Sequence, residues 1–337
     1  MSKRIVFTKP NTAELVNYEP DKPKYNEVQV RLSVSTISSG TERANITGSR
    51  TVAWCAGEEK EAVFPRFGGY SSAGIIEELG EGVSGFAVGD PVALNWSTHS
   101  EIVTIHTDNV VKIDDISFEN AALFHIATFP LAAIRKCKLE IGESAIVMGA
   151  GILGLFALQL LKAAGAVPVI AADPDKEKRK KALECGADYA LDPLDAGFDK
   201  TVKKLTNGGA RIGIEVTGVG AGLEEILDCM ARFGRVALLG CTRNSDFTID
   251  YYRKVHGPGI TLIGAHTHAR PVYESSQGWW TQRDDMDTLK KLTQMGRINL
   301  AGLVDESHSP NEAPEIYGRL VNGSSFPIVQ FDWRGFR

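Results

Sequence analysis

Residues 145–173 read AIVMGAGILGLFALQLLKAAGAVPVIAAD, and this stretch decides the fold of the chain. The apolar run Ala145–Met148 has the length of a buried parallel strand, and it leads directly into the glycine turn GAGILG at 149–154. The apolar residues up to Ala164 have the length and composition of a helix, and a second apolar run ends at Asp173. The order of strand, glycine turn, helix, strand and acid predicts a βαβ unit that binds a dinucleotide.

The glycines and the start of the helix each have a physical role in holding a pyrophosphate. Gly149 permits a tight turn, Gly151 lets backbone N–H groups approach the phosphates, and Gly154 lets the helix pack closely on the strand. Ile152 and Leu153 open the helix, whose unpaired N–H groups and partial positive charge attract phosphate. We therefore predict that these residues bind the cofactor.

The acid that ends the second apolar run predicts which dinucleotide is bound. Asp173 stands where a carboxylate accepts hydrogen bonds from the hydroxyls of the adenosine ribose. A carboxylate at this place repels a 2′-phosphate. We therefore predict NAD, with NADP as the weaker candidate.

Composition and charge narrow the class of protein. The chain has 337 residues, of which 43% are hydrophobic and 23% charged, which is typical of a soluble protein of about two domains. The net charge of −5 favours neither nucleic acid nor an anionic membrane as a partner. The five cysteines are scattered without a CxxC pair, which indicates reduced thiols. Because the N-terminal residues lack the apolar core of a signal peptide, we expect a cytoplasmic protein without a membrane span.

Hydrophobic patterns along the chain predict an α/β protein with a separate β-rich part. Residues 1 to about 115 carry alternating or glycine-bounded apolar runs, which indicate strands, and residues 117–138 have a helical pattern. Strand and helix patterns alternate from 145 to about 265, which predicts a doubly wound parallel sheet. The last segment predicts two helices, at 284–295 and 311–321, and a final strand near 328–331.

The chain resembles the medium-chain dehydrogenase/reductase superfamily, the alcohol and polyol dehydrogenases, over nearly its full length. Four stretches carry the resemblance. They are GAGILG with Asp173, DPDKEKRKKALECGAD at 173–188, IEVTGVGAGLEEILDCMARFGRVALLG at 214–240, and SGTE at 39–42, which is similar to the Cys-Gly-Thr-Asp motif of zinc-containing members.

The resemblance implies a domain arrangement and further cofactor contacts. A Rossmann NAD-binding domain, 127–265, would be inserted into a β-rich GroES-like catalytic domain, 1–126 and 266–337, with the active site in the cleft and a homodimer or homotetramer as the assembly. It also implies that the cofactor contacts residues of the later loops, namely Lys178, Thr217, Gly240, Cys241, Thr242, Gly264, Ala265 and His266.

The sequence departs from the zinc-containing members at the metal ligands. Ser39 stands where they have a Cys, Tyr70 and Ser71 stand for a His and its following Glu, and His125 stands at the later ligand position. Serine and tyrosine are poor zinc ligands at neutral pH. The cysteine-rich structural-zinc lobe is also missing, because ALNWSTHSE at 93–101 contains no cysteine. We expect no zinc, although a relocated site that uses His125 with His266 or His268 stays open.

The residues at these positions form a polar set with a chemical interpretation. The resemblance places Thr41 near the nicotinamide ribose and the substrate oxygen, and Glu42 where an acid would hydrogen-bond Tyr70. We predict that Tyr70 donates a proton to a carbonyl oxygen as hydride arrives, with Ser39, Glu42 and His125 orienting or relaying. The alternative is that Tyr70 and Ser39 only fill the vacated metal cavity.

Two other groups are candidates for the same site. His266 and His268 follow the last strand of the nucleotide domain and rival Tyr70 for acid–base work. Trp279 and Trp280 lie in QGWWTQRDD at 277–285, where flat rings, amides and acids suit a sugar or polyol. The alternative is that these tryptophans pack at a domain or subunit interface.

These features together predict an NAD-dependent, zinc-independent oxidoreductase. Its small polar substrate would be a sugar, a sugar derivative or a cyclitol, interconverted between secondary alcohol and ketone. The alternatives are an NAD(P)H-dependent reductase of an enone or quinone, which Asp173 argues against, and a nucleotide-binding protein without catalysis.

Overall fold

A computed structural model describes residues 1–49, 62–242, 245, 247–323 and 325–335. The chain divides into two compact units, Met1–Ile126 with Met286–Arg337, and Ala127–Asp285. The sequence predicts a return to the first domain at residue 266, whereas residues 266–285 group with the second unit in this division. Within that unit, the buried Asp285 binds both Arg135 and Arg270, which ties the end of this segment to an earlier helix.

The first part of the chain is mainly β-structure. Its elements are β1 (Ser2–Lys9), β2 (Thr12–Tyr18), β3 (Glu27–Thr36), α1 (Ser39–Ile46), β4 (Arg66–Phe67), β5 (Ser71–Leu79), β6 (Pro91–Asn95), β7 (Ile102–His106), β8 (Val110–Lys112), α2 (Phe118–Ala121) and α3 (Phe124–Lys136). The alternating pattern at 28–34 lies in β3, as predicted, and its apolar residues are buried.

The middle of the chain alternates between strands and helices. Its elements are β9 (Ala145–Met148), α4 (Ile152–Ala163), β10 (Val169–Ala172), α5 (Lys176–Glu184), β11 (Tyr189–Leu191), α6 (Phe198–Leu205), β12 (Ala210–Glu215), α7 (Gly220–Asp228), β13 (Met230–Leu238) and β14 (Thr261–Gly264). The short β11 and the helix α6 are additions to the sequence prediction.

The last part confirms the predicted order of two helices and a final strand. Its elements are α8 (Gln282–Gln294), β15 (Glu306–His308), α9 (Ala313–Asn322) and β16 (Val329–Asp332). No helix among the described residues is both long and apolar enough to cross a bilayer. Of the cysteines in the described ranges, Cys137 and Cys229 are buried thiols and Cys241 is exposed, while Cys55 lies outside those ranges.

The first unit is built on a large sheet in the order β15-β16-β3-β5-β6-β8, with β7 also pairing β3. Most of its pairs are antiparallel, and a smaller sheet has the order β2-β1-β4. Leu32 and Ile76 from the large sheet pack in one core with Phe7 of β1 and with Ile316 and Leu320 of α9. This core brings α9 into contact with α1.

The second unit is a parallel sheet in the order β11-β10-β9-β12-β13-β14. The strand order reverses between β9 and β12, which are neighbours in the sheet but lie far apart in sequence. Ligands of open α/β sheets bind at such a switch point, outside the carboxyl ends of the strands. The predicted Rossmann fold is confirmed, and it places the glycine turn after β9 at this point.

Candidate functional site

The three glycines of the turn after β9 have three different environments. Gly149 has φ +102°, a left-handed conformation that favours glycine, and an added Cβ would lie 3.1 Å from Cγ2 of Thr217. At Gly154 an added Cβ would lie 1.9 Å from the carbonyl oxygen of Gly149, so α4 packs directly on the turn. At Gly151 an added Cβ would meet nothing within 4 Å. Gly151 therefore leaves the turn open on its outer side.

Helix α4 begins beside this open space. Gly151 is the residue before the helix, and it has no side chain to cap the first N–H groups. Those groups and the helix dipole form an anion site of the kind that holds pyrophosphate. The half-buried Ile152 and Leu153 are the first residues of the helix. The residues present therefore fit a dinucleotide.

Asp173 is buried directly after β10 and connects two loops. Its Oδ2 accepts a hydrogen bond from the backbone N of Ala150 at 2.8 Å, and its Oδ1 accepts one from the N of Asp175 at 2.9 Å. Each carboxylate oxygen can accept a second hydrogen bond, so the group can also bind a ribose hydroxyl. The carboxylate thus lies against the glycine turn.

Two basic residues of α5 lie near Asp173. Nη1 of Arg179 donates to the carbonyl oxygen of Asp173 at 2.8 Å and to the carboxylate of Asp192 at 2.9 Å, so this arginine holds the loop. The residue of this helix that the sequence predicts as a cofactor contact is Lys178. The backbone N of Lys178 donates to Oδ1 of Asp175 at 3.3 Å in the first turn of α5. A cofactor contact of the Lys178 side chain stays a prediction.

The loops after β12 and β13 approach each other closely. A Cβ added at Gly240 would lie 2.3 Å from the N of Gly218, and one at Gly218 would lie 2.7 Å from the carbonyl oxygen of Cys241 and 3.2 Å from the N of Thr242. The buried Glu215 supports this crossing by accepting hydrogen bonds from the N and Oγ1 of Thr217. The predicted residues of these two loops are therefore neighbours.

The segment after β14 carries the two predicted histidines. The N of Ala265 donates to the carbonyl oxygen of Leu238 at 3.1 Å, which extends the pairing past Gly264. The N of His268 donates to Nδ1 of His266 at 3.2 Å, and the two rings lie 5.4 Å apart. The half-buried His266 and the exposed His268 thus form a local pair.

Cations of α3 lie over the two predicted tryptophans. The guanidinium of Arg135 lies 4.2 Å from the ring centre of Trp280, and Nζ of Lys136 lies 5.0 Å from that of Trp279. Lys136 also donates to the carbonyl oxygen of Gly264 at 3.1 Å. Burial lowers the pKa of Lys136 to about 8, with repulsion from Arg270 adding to the effect. Contact of these tryptophans with substrate stays a prediction.

In the first unit, Tyr70 lies directly before β5 and contacts the start of α1. Its hydroxyl donates to Oγ of the buried Ser38, which is the residue before the helix. Ser39, which the sequence predicts for this site, is the next residue and is half-buried. The N of Ser38 donates to Oε1 of Glu42 at 2.8 Å. Thr41 lies half-buried in the same first turn.

Glu42 is the centre of a buried polar network. Its Oε2 accepts from the hydroxyl of Tyr317 and lies 3.1 Å from Nε2 of His99. Nδ1 of His99 lies 2.7 Å from Oγ of Ser35, which also accepts from Nε1 of Trp333 at 2.9 Å. The phenol on Glu42 is therefore Tyr317, where the sequence predicts Tyr70. Burial, followed by the charge of Glu42, raises the pKa of Tyr317 well above its ordinary value, so Tyr317 stays a donor.

Two glycines before Tyr70 pack against this network. A Cβ added at Gly68 would lie 3.1 Å from Oε2 of Glu42 and 3.2 Å from the hydroxyl oxygen of Tyr317. Gly69 has φ +87°, and an added Cβ would lie 2.8 Å from the N of His99. Side chains would displace the network at both positions. Two glycines directly before Tyr70 are the feature of the sequence that permits this close packing.

An aromatic group surrounds Tyr70. The ring centre of the fully buried His125, in α3, lies 5.3 Å from that of Tyr70 and 4.5 Å from that of Trp96, with an edge-to-face geometry in both pairs. The N of Trp96 donates to the carbonyl oxygen of Tyr70 at 2.8 Å. Trp96 is an addition to the residues that the sequence predicts for this site.

The residues at the family's metal positions do not fit zinc. Tyr70 donates to Ser38, and Oγ of Ser71 donates to the carbonyl oxygen of Ala122 at 2.7 Å. Zinc needs thiolate, imidazole or carboxylate ligands. Among Ser39, Tyr70, Ser71 and His125, which stand at the metal positions, His125 alone has such a group, an imidazole. Over the described ranges, no three or more His, Cys, Asp or Glu side chains are grouped so that they could share a metal ion.

Comparisons of the sequence with known proteins find dehydrogenases. A family model described as zinc-binding dehydrogenase matches residues 153–277. The chain is 28% identical to D-guloside 3-dehydrogenase of Escherichia coli K12, over 95% of this chain and 96% of that protein. It is 27% identical to L-threonine 3-dehydrogenase of Pyrococcus horikoshii, over 90% of each.

A solved structure shows the same fold. The crystal structure of galactitol-1-phosphate dehydrogenase from Escherichia coli aligns with a TM-score of 0.82 and 19% identity, over 98% of this chain and 99% of that one. The two sequence relatives extend over 90% or more of the chain. The comparisons therefore support the resemblance to the medium-chain dehydrogenase/reductase superfamily and indicate an oxidoreductase similar to alcohol and polyol dehydrogenases.

Proposed function

We propose that the protein is a zinc-independent, NAD-dependent dehydrogenase that interconverts a secondary alcohol and a ketone. The observation that carries this proposal is the hydrogen bond from the Tyr70 hydroxyl to Ser38. Tyr70 stands at a position where zinc-containing members have a metal ligand, and Ser38 is next to Ser39, which stands at another. A phenol and a serine are poor metal ligands, but a positioned phenol can transfer a proton. The pair therefore supports acid–base catalysis in place of a metal.

Residues of the second unit would hold the cofactor. The open side of Gly151 and the first N–H groups of α4 would receive the pyrophosphate, and Asp173 would accept hydrogen bonds from the ribose. The carboxylate of Asp173 disfavours the 2′-phosphate of NADP, which supports NAD. When bound, NAD supplies the hydride acceptor of the reaction.

Tyr70 would carry the proton. In ketone reduction, the carbonyl oxygen takes the proton of the Tyr70 hydroxyl while the carbonyl carbon gains the hydride. Ser38, which accepts the hydrogen bond of Tyr70, would return its hydroxyl proton to the phenolate and would itself be reprotonated by solvent. Alcohol oxidation is the reverse. Glu42 holds the backbone of Ser38, and His125 packs its ring against Tyr70, so both orient the donor.

The substrate would be a sugar derivative or a cyclitol. The relatives named for D-guloside and L-threonine are dehydrogenases of polar hydroxyl compounds, which supports a polar secondary alcohol. The hydroxyl groups of Tyr70 and Thr41 would hydrogen-bond such a compound and orient it.

The proposal is tested by Tyr70→Phe, which keeps the ring and removes the O–H. We expect the wild-type protein to reduce NAD with at least one member of a panel of cyclitols, methyl glycosides and linear polyols. For Y70F, kcat should fall by about 100-fold or more, because general acid–base catalysis contributes roughly that factor. The dissociation constant of NAD, measured by calorimetry, should not change. Tyr273→Phe alters a phenol that is 92% exposed and serves as the matched control.

Three results would contradict parts of the proposal. An unchanged kcat in Y70F, with intact NAD binding, would remove Tyr70 as the proton donor. Loss of activity on dialysis against a chelator, restored by Zn²⁺, would show a zinc enzyme. A higher kcat/KM with NADP than with NAD would overturn the role given to Asp173.

A further inference from the structure

Glu215 is a buried carboxylate at the point where the strand order of the second unit reverses. It is the last residue of β12, it pairs in register with Met148 at the end of β9, and it is 3% exposed. The glycine turn begins at the same place, since Gly149 follows Met148 directly. A negative charge on Glu215 therefore lies beside the proposed cofactor site.

The partners of this carboxylate are hydrogen-bond donors and not cations. Its Oε1 accepts from the N of Thr217 at 2.7 Å, from Oγ1 of Thr217, and from the N of Gly218 at 3.1 Å. Burial raises the pKa of Glu215 and these donors oppose the rise, while no cation among the described residues contributes to it. The buried Asp285, in contrast, pairs with two arginines. The charge of Glu215 is therefore stabilised by dipoles and is not cancelled by an opposite charge.

A bound dinucleotide would cross this point. The carboxylate of Asp173, on the β10 side, would take the adenosine ribose, and the start of α4 would take the pyrophosphate. The half of the cofactor beyond the pyrophosphate would then extend over the β12 side, where Glu215 and its loop lie. The nicotinamide ring of that half carries a positive charge in NAD⁺ and none in NADH.

From this geometry we infer that Glu215 sets the preference of the site between the two redox forms of the cofactor, in favour of NAD⁺. A negative charge in a buried place of low dielectric constant attracts the cationic ring of NAD⁺, whereas the neutral ring of NADH gains no such attraction. The inference rests on the proposed function, because it requires the NAD site described above. Glu215 would thereby favour binding of NAD⁺ and release of NADH during alcohol oxidation.

The experiment measures the dissociation constants of NAD⁺ and NADH by calorimetry, for wild type and for Glu215→Gln, at about pH 8 and a fixed salt concentration. Glutamine keeps the size of the side chain and an oxygen that can accept from Thr217, but it has no charge. We expect the ratio Kd(NADH)/Kd(NAD⁺) to be about threefold to tenfold lower in E215Q than in wild type. Glu215→Ala, a second variant without the charge, should lower the ratio as well, and thermal unfolding verifies that each variant folds.

Thr217→Val is the matched control, because it removes the hydroxyl donor of this loop and keeps the charge of Glu215. It should weaken the binding of both redox forms by similar factors and leave the ratio as in wild type. The inference would be overturned if E215Q and E215A weaken NAD⁺ and NADH equally or raise the ratio. It would also be overturned if T217V lowers the ratio as much as E215Q does, since Glu215 would then only support the loop. A wild type that binds neither form would instead contradict the proposed function itself.

Discussion

Two tyrosines show how the surroundings of a single residue decide its role. The Tyr317 phenol is completely buried and donates to the Glu42 carboxylate, and its raised pKa keeps it protonated. Tyr70 is half-buried and donates to a neutral hydroxyl, that of Ser38. A buried donor on a carboxylate stabilises structure, whereas a partly exposed phenol can exchange its proton with a substrate.

At this scale we predict that Tyr317→Phe destabilises the fold. The variant removes one donor from a buried carboxylate, so the free energy of unfolding should fall by about 1–3 kcal/mol. Because Tyr317 is protonated in both the folded and unfolded states up to about pH 9, the difference from wild type should be constant between about pH 6 and 9. Urea unfolding at several pH values measures this, and an unchanged midpoint would contradict it.

At the scale of elements, the turn between β9 and α4 contains glycines with two different roles, packing of the helix and binding of the cofactor. Gly154 is needed for packing, because the carbonyl oxygen of Gly149 lies only 1.9 Å from the place that a Cβ atom would occupy. Gly151 is not needed for packing, since its Cβ position is open. It also has φ −76°, which any residue can adopt.

An added methyl group is therefore predicted to affect mainly stability at Gly154 and mainly NAD binding at Gly151. Gly154→Ala should lower the free energy of unfolding by several kcal/mol, since backbone must move to relieve the clash. Gly151→Ala should leave stability unchanged or raise it by about 0.4–1 kcal/mol, while it raises the dissociation constant of NAD. Thermal unfolding and calorimetry of NAD binding measure both. Equal NAD binding in wild type and G151A would contradict the assignment of the pyrophosphate site.

At the scale of the whole molecule, distant segments meet on the last turn of α3. Lys136 reaches Gly264 and the ring of Trp279, and the neighbouring Arg135 pairs with the buried Asp285. Residues 266–285 therefore pack with the second unit. The sequence resemblance alone places them in the first domain, and only these contacts between separated stretches assign them differently.

Lys136 should make stability depend on pH. Its pKa is about 8 when folded and near 10.5 when unfolded, so the unfolded state binds more protons between these values. The contribution of Lys136 to stability is therefore lowest below pH 8 and rises as pH increases towards 10.5. We expect wild type to gain stability relative to Lys136→Met between pH 8 and about 10, in urea unfolding. Lys180→Met, on the exposed side of α5, is the control for the loss of a lysine elsewhere in the unit.

The sequence by itself determined the Rossmann unit, its glycine turn and the acid after the second strand. These features are local, because the strand, turn and helix follow one another in the chain and each residue's role depends on its neighbours. The zinc-ligand positions could likewise be compared with the family residue by residue.

Only the tertiary structure decided which residues meet at the candidate site. Glu42 binds His99 and Tyr317, which are 57 and 275 residues away. The hydroxyl of Tyr70 donates to Ser38, whereas the sequence predicts Glu42 as its partner. Contacts of this kind form when strands and helices pack, and no pattern within one stretch encodes them.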